Sequence, residues 1–147
     1  MHFQDILAFW FGSSDPAQFS ANSALWWTGG PAVDADIRAR FADTHAAAAR
    51  GDLDGWASTP LGRLALVIVL DQLTRNIYRG TGAAFAQDAR ALALVLDGLA
   101  ESSALPPLGR VFFYMPLEHA EDRAMQDRSV ELFTALGPEV GMHYVDF

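Results

Sequence analysis

An unbroken apolar run at residues 64–70 that changes abruptly into a polar cluster constrains this chain most strongly. The run reads LALVIVL, and residues 71–79 then read DQLTRNIYR. A helix that is apolar on every side is a buried helix, and polar groups at its end need hydrogen-bond partners inside the fold. The sequence therefore predicts a central helix that runs through the core and ends in a polar site.

Composition and charge narrow the class of protein. The 147 residues suffice for one domain with a substantial core, and we expect a single all-helical domain over residues 1–147. The formal net charge is −8, and the ten basic residues, all Arg, form no basic run. Nucleic acid and anionic membranes are therefore excluded as expected partners, because phosphate-rich surfaces are bound by basic patches.

Targeting and cofactor signals are missing from the sequence. The chain has no Cys, which excludes disulfides and thiolate metal sites. The N-terminus lacks the basic region of a signal peptide, and the longest apolar run is far shorter than the roughly 20 residues of a membrane span. We expect a cytoplasmic protein without a cofactor.

Helical spacing of apolar residues recurs along the chain and predicts about six helices with no convincing strand. Thr59 followed by Pro60 is a typical helix start, and short connections favour antiparallel helical hairpins in a bundle. The predicted helices cover residues 3–12, 31–50, 60–79, 85–98 and 116–136, and a further element begins at residue 139. Residues 13–30 are expected to be loop-like.

The polar end of the central helix has two interpretations. At 100° per residue, one side of the helix carries Asp71, Gln72, Arg75, Asn76 and Arg79. An Asp71–Arg75 ion pair could serve only to hold neighbouring helices together. Alternatively, Arg75 and Arg79 could present forked donors to a small carboxylate or phosphate, with Asp71 orienting one guanidinium.

A second polar cluster, MPLEHAEDRAMQD, covers residues 115–127. Pro116 is predicted to start a helix, and acidic residues in a first turn offset the helix macrodipole. On that helix Glu118 falls on the same side as Met125 and Leu132, so its carboxylate should point toward the core. We expect an Arg from the central helix to pair with Glu118.

The same cluster admits two catalytic interpretations. Glu118 or His119 could act as a general acid or base, tuned by burial and a neighbouring Arg. Glu118, His119 and Glu121 could instead hold a metal ion. The metal interpretation is the weaker one, because neither an HExxH motif nor paired ExxH motifs occur, and no metal ligand is assigned.

The tryptophans Trp26 and Trp27, beside Gly29 and Gly30, also admit two interpretations. Core packing is the simpler one. The alternative is that the two rings line a pocket wall or a partner surface.

Four segments resemble the bacterial family catalogued as domain of unknown function 924. They are FWFG at residues 9–12, WW at 26–27, TPLGRLALVIVLDQLTRNIYRGTGAAFAQD at 59–88 and FFYMPLEHAED at 112–122. The resemblance implies an all-helical fold similar to tetratricopeptide-repeat proteins and no established activity. It also implies a set of characteristic polar residues, namely Asp71, Gln72, Arg75, Asn76, Arg79, Asp88, Glu118, His119 and Glu121.

The C-terminus departs from the family pattern. Members typically continue with a further helix and a basic FGRFPHRN-like segment, whereas this chain stops at Phe147. We expect either a shortened member or a truncated chain. If the segment supplies site residues, this chain holds only part of the site.

Three functional hypotheses follow. The first is a small anionic metabolite bound in a cleft between helices 60–79 and 116–136. The second is an enzyme with Glu118 or His119 as acid or base. The third is an interaction module that binds a peptide or a second copy of the chain. In the first, the ligand-binding residues are Asp71, Gln72, Arg75, Asn76, Arg79 and Glu121, with Glu118 helping Asp71 to orient the arginines.

Overall fold

The computed structural model describes residues 1–140, which form a helical bundle without a strand in that range, as predicted. No helix in this range has the length and apolar character needed to cross a membrane. The helices are α1 (Phe3–Phe11), α2 (Ser23–Trp26), α3 (Pro31–Arg50), α4 (Pro60–Val67), α5 (Thr74–Ile77), α6 (Asp88–Gly98), α7 (Pro107–His119) and α8 (Arg123–Val140). Four 3₁₀ turns cover Pro16–Gln18, Asp54–Ser58, Gly82–Phe85 and Leu99–Ala104.

The core is built around one continuous helical rod, here called the central helix. It comprises α4, a π-helical segment at Ile68–Leu73, and α5. The Thr59 hydroxyl accepts from the Gly62 amide at 3.1 Å and caps its N-terminus, as the sequence predicted. Every residue from 64 to 71 is fully buried. The rod packs against α1, α3, α6 and α7, and α8 packs outside on α7.

The π segment is tied to α3 through a buried hydroxyl. Thr74 Oγ1 donates to the Leu70 carbonyl at 2.7 Å. This carbonyl is one of the acceptors whose usual α-helical hydrogen bond is displaced by the wider π turn. His45 Nε2 lies 2.6 Å from the same hydroxyl, so His45 donates to it. Because both residues are buried, this link fixes α3 against the C-terminal half of the central helix.

The prediction that a helix starts at Pro116 is wrong. Pro116 lies inside α7, which starts at Pro107. The break falls instead after His119, where Ala120 is extended and the Gln126 amide donates to the Glu118 and Ala120 carbonyls. These bonds satisfy carbonyls that a helix end leaves without partners, so the break lies four residues beyond the proline.

Other boundaries also differ from the prediction. The region of residues 13–30, expected to be loop-like, contains α2, and the central helix ends at Ile77 rather than at residue 79. Helix α6 begins at Asp88, because residues 82–85 form a separate 3₁₀ turn. Helix α8 continues through Pro138 to Val140. The expected final element covers residues 139–147; residues 139 and 140 belong to α8 instead, and residues 141–147 lie outside the described range.

Replacing Gly62 by Ala should destabilise the fold. An added Cβ would clash with the Trp56 carbonyl oxygen, a backbone atom that moves only with the adjoining 3₁₀ turn. Such overpacking costs about 1–3 kcal/mol, to be measured by urea denaturation. The matched control is Gly82→Ala, since no heavy atom lies within 4 Å of a Cβ there. Equal stability of both variants would contradict the close contact.

Acidification should weaken the fold through His45. Burial lowers the pKa of His45 below its ordinary value, so the unfolded chain takes up its proton at a higher pH than the folded protein. Stability is unaffected by this group above about pH 6.5, and falls below it by at most about 1.4 kcal/mol per pH unit. Urea denaturation between about pH 7.5 and 5.5 measures the slope. In His45→Gln this part of the slope should vanish; an unchanged slope would assign it to other groups.

Candidate functional site

Asp71 lies at the centre of the polar cluster, with a side chain that is 0% exposed. Its Oδ1 accepts from His119 Nδ1 at 2.8 Å and from Arg75 Nη1 at 3.3 Å. Its Oδ2 accepts from Gln72 Nε2 at 3.0 Å. Burying a carboxylate is costly unless charged and polar donors surround it. The three bonds satisfy Asp71 and join the central helix to the C-terminal end of α7.

Arg75 is held by two acidic residues. Its Nη1 and Nη2 atoms donate to the two carboxylate oxygens of Asp88 at 2.9 and 3.0 Å, a forked pair. Nη1 also donates to the Asp71 carbonyl oxygen at 2.8 Å. The Phe85 ring centroid lies 5.3 Å from the guanidinium carbon. Asp88 therefore fixes the plane of Arg75 from α6.

Arg79 is held by Asp34, a residue of α3 that sequence reasoning missed. Arg79 Nε donates to Asp34 Oδ2 at 2.7 Å, and Asn76 Nδ2 donates to Oδ1 at 2.9 Å. Burial raises the pKa of Asp34, but the bonds from Arg79 and Asn76 outweigh burial and leave it below its usual value. The bond to Asp34 raises the pKa of Arg79. Both groups are thus charged at neutral pH. The only sequence signal at Asp34 is its position as an acidic residue in the first turn of the predicted helix 31–50. Its favourable interaction with the helix dipole already accounts for an acidic residue there.

The polar side of the central helix faces a cavity of about 430 Å³, here called the tryptophan cavity. The loop after α2 forms the opposite wall. The structure brings together four residues that the sequence grouped as ligand-binding, and it adds the aromatic and glycine residues whose role was left open. The lining residues are Trp10, Leu25, Trp26, Trp27, Thr28, Gly29, Gly30, Gln72, Arg75, Asn76 and Arg79.

Trp10 contributes a hydrogen-bond donor without a partner. The residue is 2% exposed, and its indole Nε1–H is the one buried side-chain nitrogen or oxygen that finds no acceptor within residues 1–140. Its neighbour Trp26 differs, because Trp26 Nε1 donates to the Trp10 carbonyl at 3.0 Å. An unpartnered buried donor costs about 1–3 kcal/mol. Trp10 therefore places an unsatisfied buried donor beside the tryptophan cavity, counted within residues 1–140.

A second cavity, of about 540 Å³, lies on the other side of Arg75 and is here called the histidine cavity. It is bounded by α6, the 3₁₀ turn before α6, and the junction of α7 and α8. The expected single cleft between the two polar clusters is therefore replaced by two cavities that share Arg75. The histidine cavity is lined by Arg75, Phe85, Asp88, Ala89, Leu92, Pro116, His119, Ala120, Glu121 and Asp122.

Glu118 does not pair with an arginine of the central helix, contrary to the prediction. Within residues 1–140 its carboxylate makes no ion pair, and it lines neither cavity. Burial raises the pKa of Glu118, the His119 charge opposes the rise, and the Asp71 charge adds to it. The prediction placed residues 116–136 on one helix, but the chain breaks at Ala120, so the assumed alignment with Met125 does not hold.

The metal interpretation gains no support from the geometry. No group of three or more His, Asp and Glu side chains in the part of the chain that the structure describes is arranged to hold a metal ion. Glu121, one of the three proposed ligands, is exposed.

Comparison with known proteins identifies the family. A model described as "Bacterial protein of unknown function (DUF924)" matches residues 6–145. The chain belongs to this family. A solved structure, titled as a protein of unknown function from Agrobacterium tumefaciens, is 36% identical, with a TM-score of 0.81 over 97% of this chain and 76% of that chain. No curated protein matches. Membership confirms the resemblance inferred from the motifs.

Replacing Asp71 by Asn should destabilise the protein strongly. The amide cannot accept all the bonds that His119, Gln72 and Arg75 direct at the carboxylate, and breaking a buried charged network costs about 3–5 kcal/mol. Urea denaturation measures the loss. Asp36→Asn is the matched control, because Asp36 forms an exposed pair with Arg40 at 3.6 Å and should cost less than about 1 kcal/mol. Similar losses in both variants would show that Asp71 is not structurally central.

Proposed function

We propose that the protein binds a small ligand carrying a carboxylate or a phosphate in the tryptophan cavity. The observation that carries the proposal is the convergence of Arg75 and Arg79 on one cavity that is also lined by Trp10, whose buried indole N–H has no partner within residues 1–140. A cavity rich in donors fits a ligand rich in acceptor oxygens. Carboxylates and phosphates are the common anions with that property.

The arginines retain donors for such a ligand. Arg79 uses Nε and Nη2 for Asp34, so Nη1 makes no bond within residues 1–140. Arg75 uses Nη1 and Nη2 for the acidic residues beside it, and its Nε–H makes no bond in the same range. Because Arg79 is 61% exposed at its side chain, it can adjust to the ligand, whereas Arg75 is fixed.

The neighbouring carboxylates change how an anion would be recognised. Asp34, Asp71 and Asp88 offset the charges of the two arginines. Binding would depend on directional hydrogen bonds from guanidinium groups held in place, and ordering them in advance reduces the entropy lost on binding. We therefore expect the affinity to depend only weakly on salt, unlike binding to an open basic patch.

The aromatic wall indicates that the ligand also carries an apolar part. Trp10 and Trp26 are stacked with centroids 6.3 Å apart, and Trp27 is 44% exposed beside them. Pockets for small molecules combine such apolar walls with a few convergent polar groups. A ring bearing one anionic group matches this combination.

Phenyl phosphate and phenylacetate are suitable probes. Either probe, bound only to the folded protein, should raise the melting temperature by mass action and alter the fluorescence of the cavity tryptophans. Failure of phosphate-bearing and carboxylate-bearing probes alike to do so, even at high concentration, would contradict anion binding in this cavity.

Replacing Arg79 by Gln should weaken binding of the same probes by about 10- to 100-fold, because a hydrogen bond to a charged group contributes about 1.5–3 kcal/mol. Arg75→Gln should weaken it similarly. Arg128→Gln removes the same charge from an exposed pair on α8 and should leave binding unchanged. Titration of tryptophan fluorescence measures all three. Equal affinities throughout would show that the arginines serve only the fold.

The interaction-module hypothesis remains a prediction. Large exposed apolar side chains are scattered over several elements, among them Trp27 before α3, Phe85 before α6 and Val130 on α8. Single exposed apolar residues are common on protein surfaces, so they favour no particular partner.

A further inference from the structure

We propose that His119 is a general base that activates water for the hydrolysis of an uncharged or cationic ester bound in the histidine cavity, with Asp71 as its positioning residue. This proposal concerns a different cavity from the ligand site above and does not depend on it.

The first argument is the orientation of the imidazole. The Asp71 carboxylate accepts from Nδ1 at 2.8 Å, so Nδ1 carries a proton and the neutral ring leaves a lone pair on Nε2. His119 lines the cavity, and its Nε2 makes no hydrogen bond within residues 1–140. His45 provides a contrast, since its Nε2 is occupied by Thr74 and buried.

The second argument is that Asp71 is itself held in place. Gln72 donates to one carboxylate oxygen and Arg75 to the other, and the side chain is fully buried. A carboxylate fixed in this way sets the tautomer and the ring plane of a histidine and stabilises the imidazolium that forms when Nε2 takes up a proton.

The third argument concerns the nucleophile. Among residues 1–140, those that line the cavity include no Ser, Thr, Cys or Lys, so water is the nucleophile that a base there can activate. Nε2 accepts a proton from water as the water oxygen bonds to the acyl carbon. The bond from that carbon to the leaving oxygen then breaks, and the proton passes from Nε2 to the leaving oxygen. One water is consumed, and no oxidant, reductant or cofactor is required.

Arg75 supplies the positive charge that stabilises the oxyanion formed during ester hydrolysis. It lies in the cavity wall, and its plane is fixed by the forked pair with Asp88. A fixed cationic donor beside a developing oxyanion stabilises the transition state with little reorganisation.

The lining also selects the class of substrate. Phe85, Leu92 and Pro116 form an apolar wall that suits an acyl chain. Asp88, Glu121 and Asp122 lie at the same cavity, and their charges disfavour an anionic substrate. The geometry thus suits short-chain esters that are uncharged or cationic.

Hydrolysis of p-nitrophenyl butyrate tests the proposal. The full chain should release p-nitrophenol faster than free imidazole at equal concentration, with a rate that rises with pH because only a neutral imidazole can accept a proton. The charged and titratable groups around His119 that can shape this profile are Asp71 and Arg75 on the central helix, Asp88 on α6, Glu118 on α7, and Glu121 and Asp122 in the turn before α8.

Two variants separate hydrolysis catalysed by His119 from the background rate of ester hydrolysis. His119→Gln should lower the rate by about 100-fold, within the range that a positioned general base contributes. His2→Gln removes an exposed histidine at the N-terminus and should leave the rate unchanged. A wild-type rate no greater than that of imidazole, or a His119→Gln rate equal to wild type, would overturn the proposal.

Nitrogen-15 NMR tests the positioning role without a substrate. In the wild type, neutral His119 should be protonated on Nδ1, and in Asp71→Asn this tautomer preference should be lost together with most of the hydrolysis. If Asp71→Asn fails to fold, the wild-type tautomer and the His119→Gln rate still decide the matter. A wild-type ring protonated on Nε2 would overturn the proposal.

Discussion

The structure depends on one buried carboxylate. Asp71 lies without solvent contact where the central helix changes from apolar to polar, an arrangement that is tolerated only because side chains from two helices donate to it. His119 draws the end of α7 to the rod, and Arg75 extends the network to Asp88 on α6. Since both cavities border Arg75, the contacts that satisfy this one charge also shape both candidate sites.

Arginine makes a second kind of long-range link, to backbone carbonyls. Arg38 donates to the carbonyl of Ile77, Arg63 to that of Leu94, and Arg90 to that of Ala48 at the end of α3. Helix ends leave carbonyls without intrahelical partners, and the fork of a guanidinium can reach two acceptors at once. This role accounts for three arginines that line neither cavity, in a chain whose basic residues other than histidine are all arginines.

The sequence predicted what depends on local pattern and missed what depends on distant partners. The apolar run and the Thr59–Pro60 start located the central helix, and its helical periodicity brought Gln72, Arg75, Asn76 and Arg79 to one side. Asp34 was missed because its partner Arg79 lies 45 positions away. The start assigned to Pro116 failed because proline disfavours a helix interior without forbidding it, and the C-terminal carbonyls of α7 found a partner in the Gln126 side chain.

The π turn at residues 68–73 sets the angular register of the candidate site. Compared with an α-helix, a π turn accommodates one additional residue, and each residue corresponds to about 100° of rotation. If the same residues were wound as α-helix instead, every later side chain of the central helix would be rotated by about 100° from its present direction, more than a quarter of a circle. Arg75 and Arg79 would then leave the tryptophan wall, so the site exists because the rod is one residue out of step with an ideal helix.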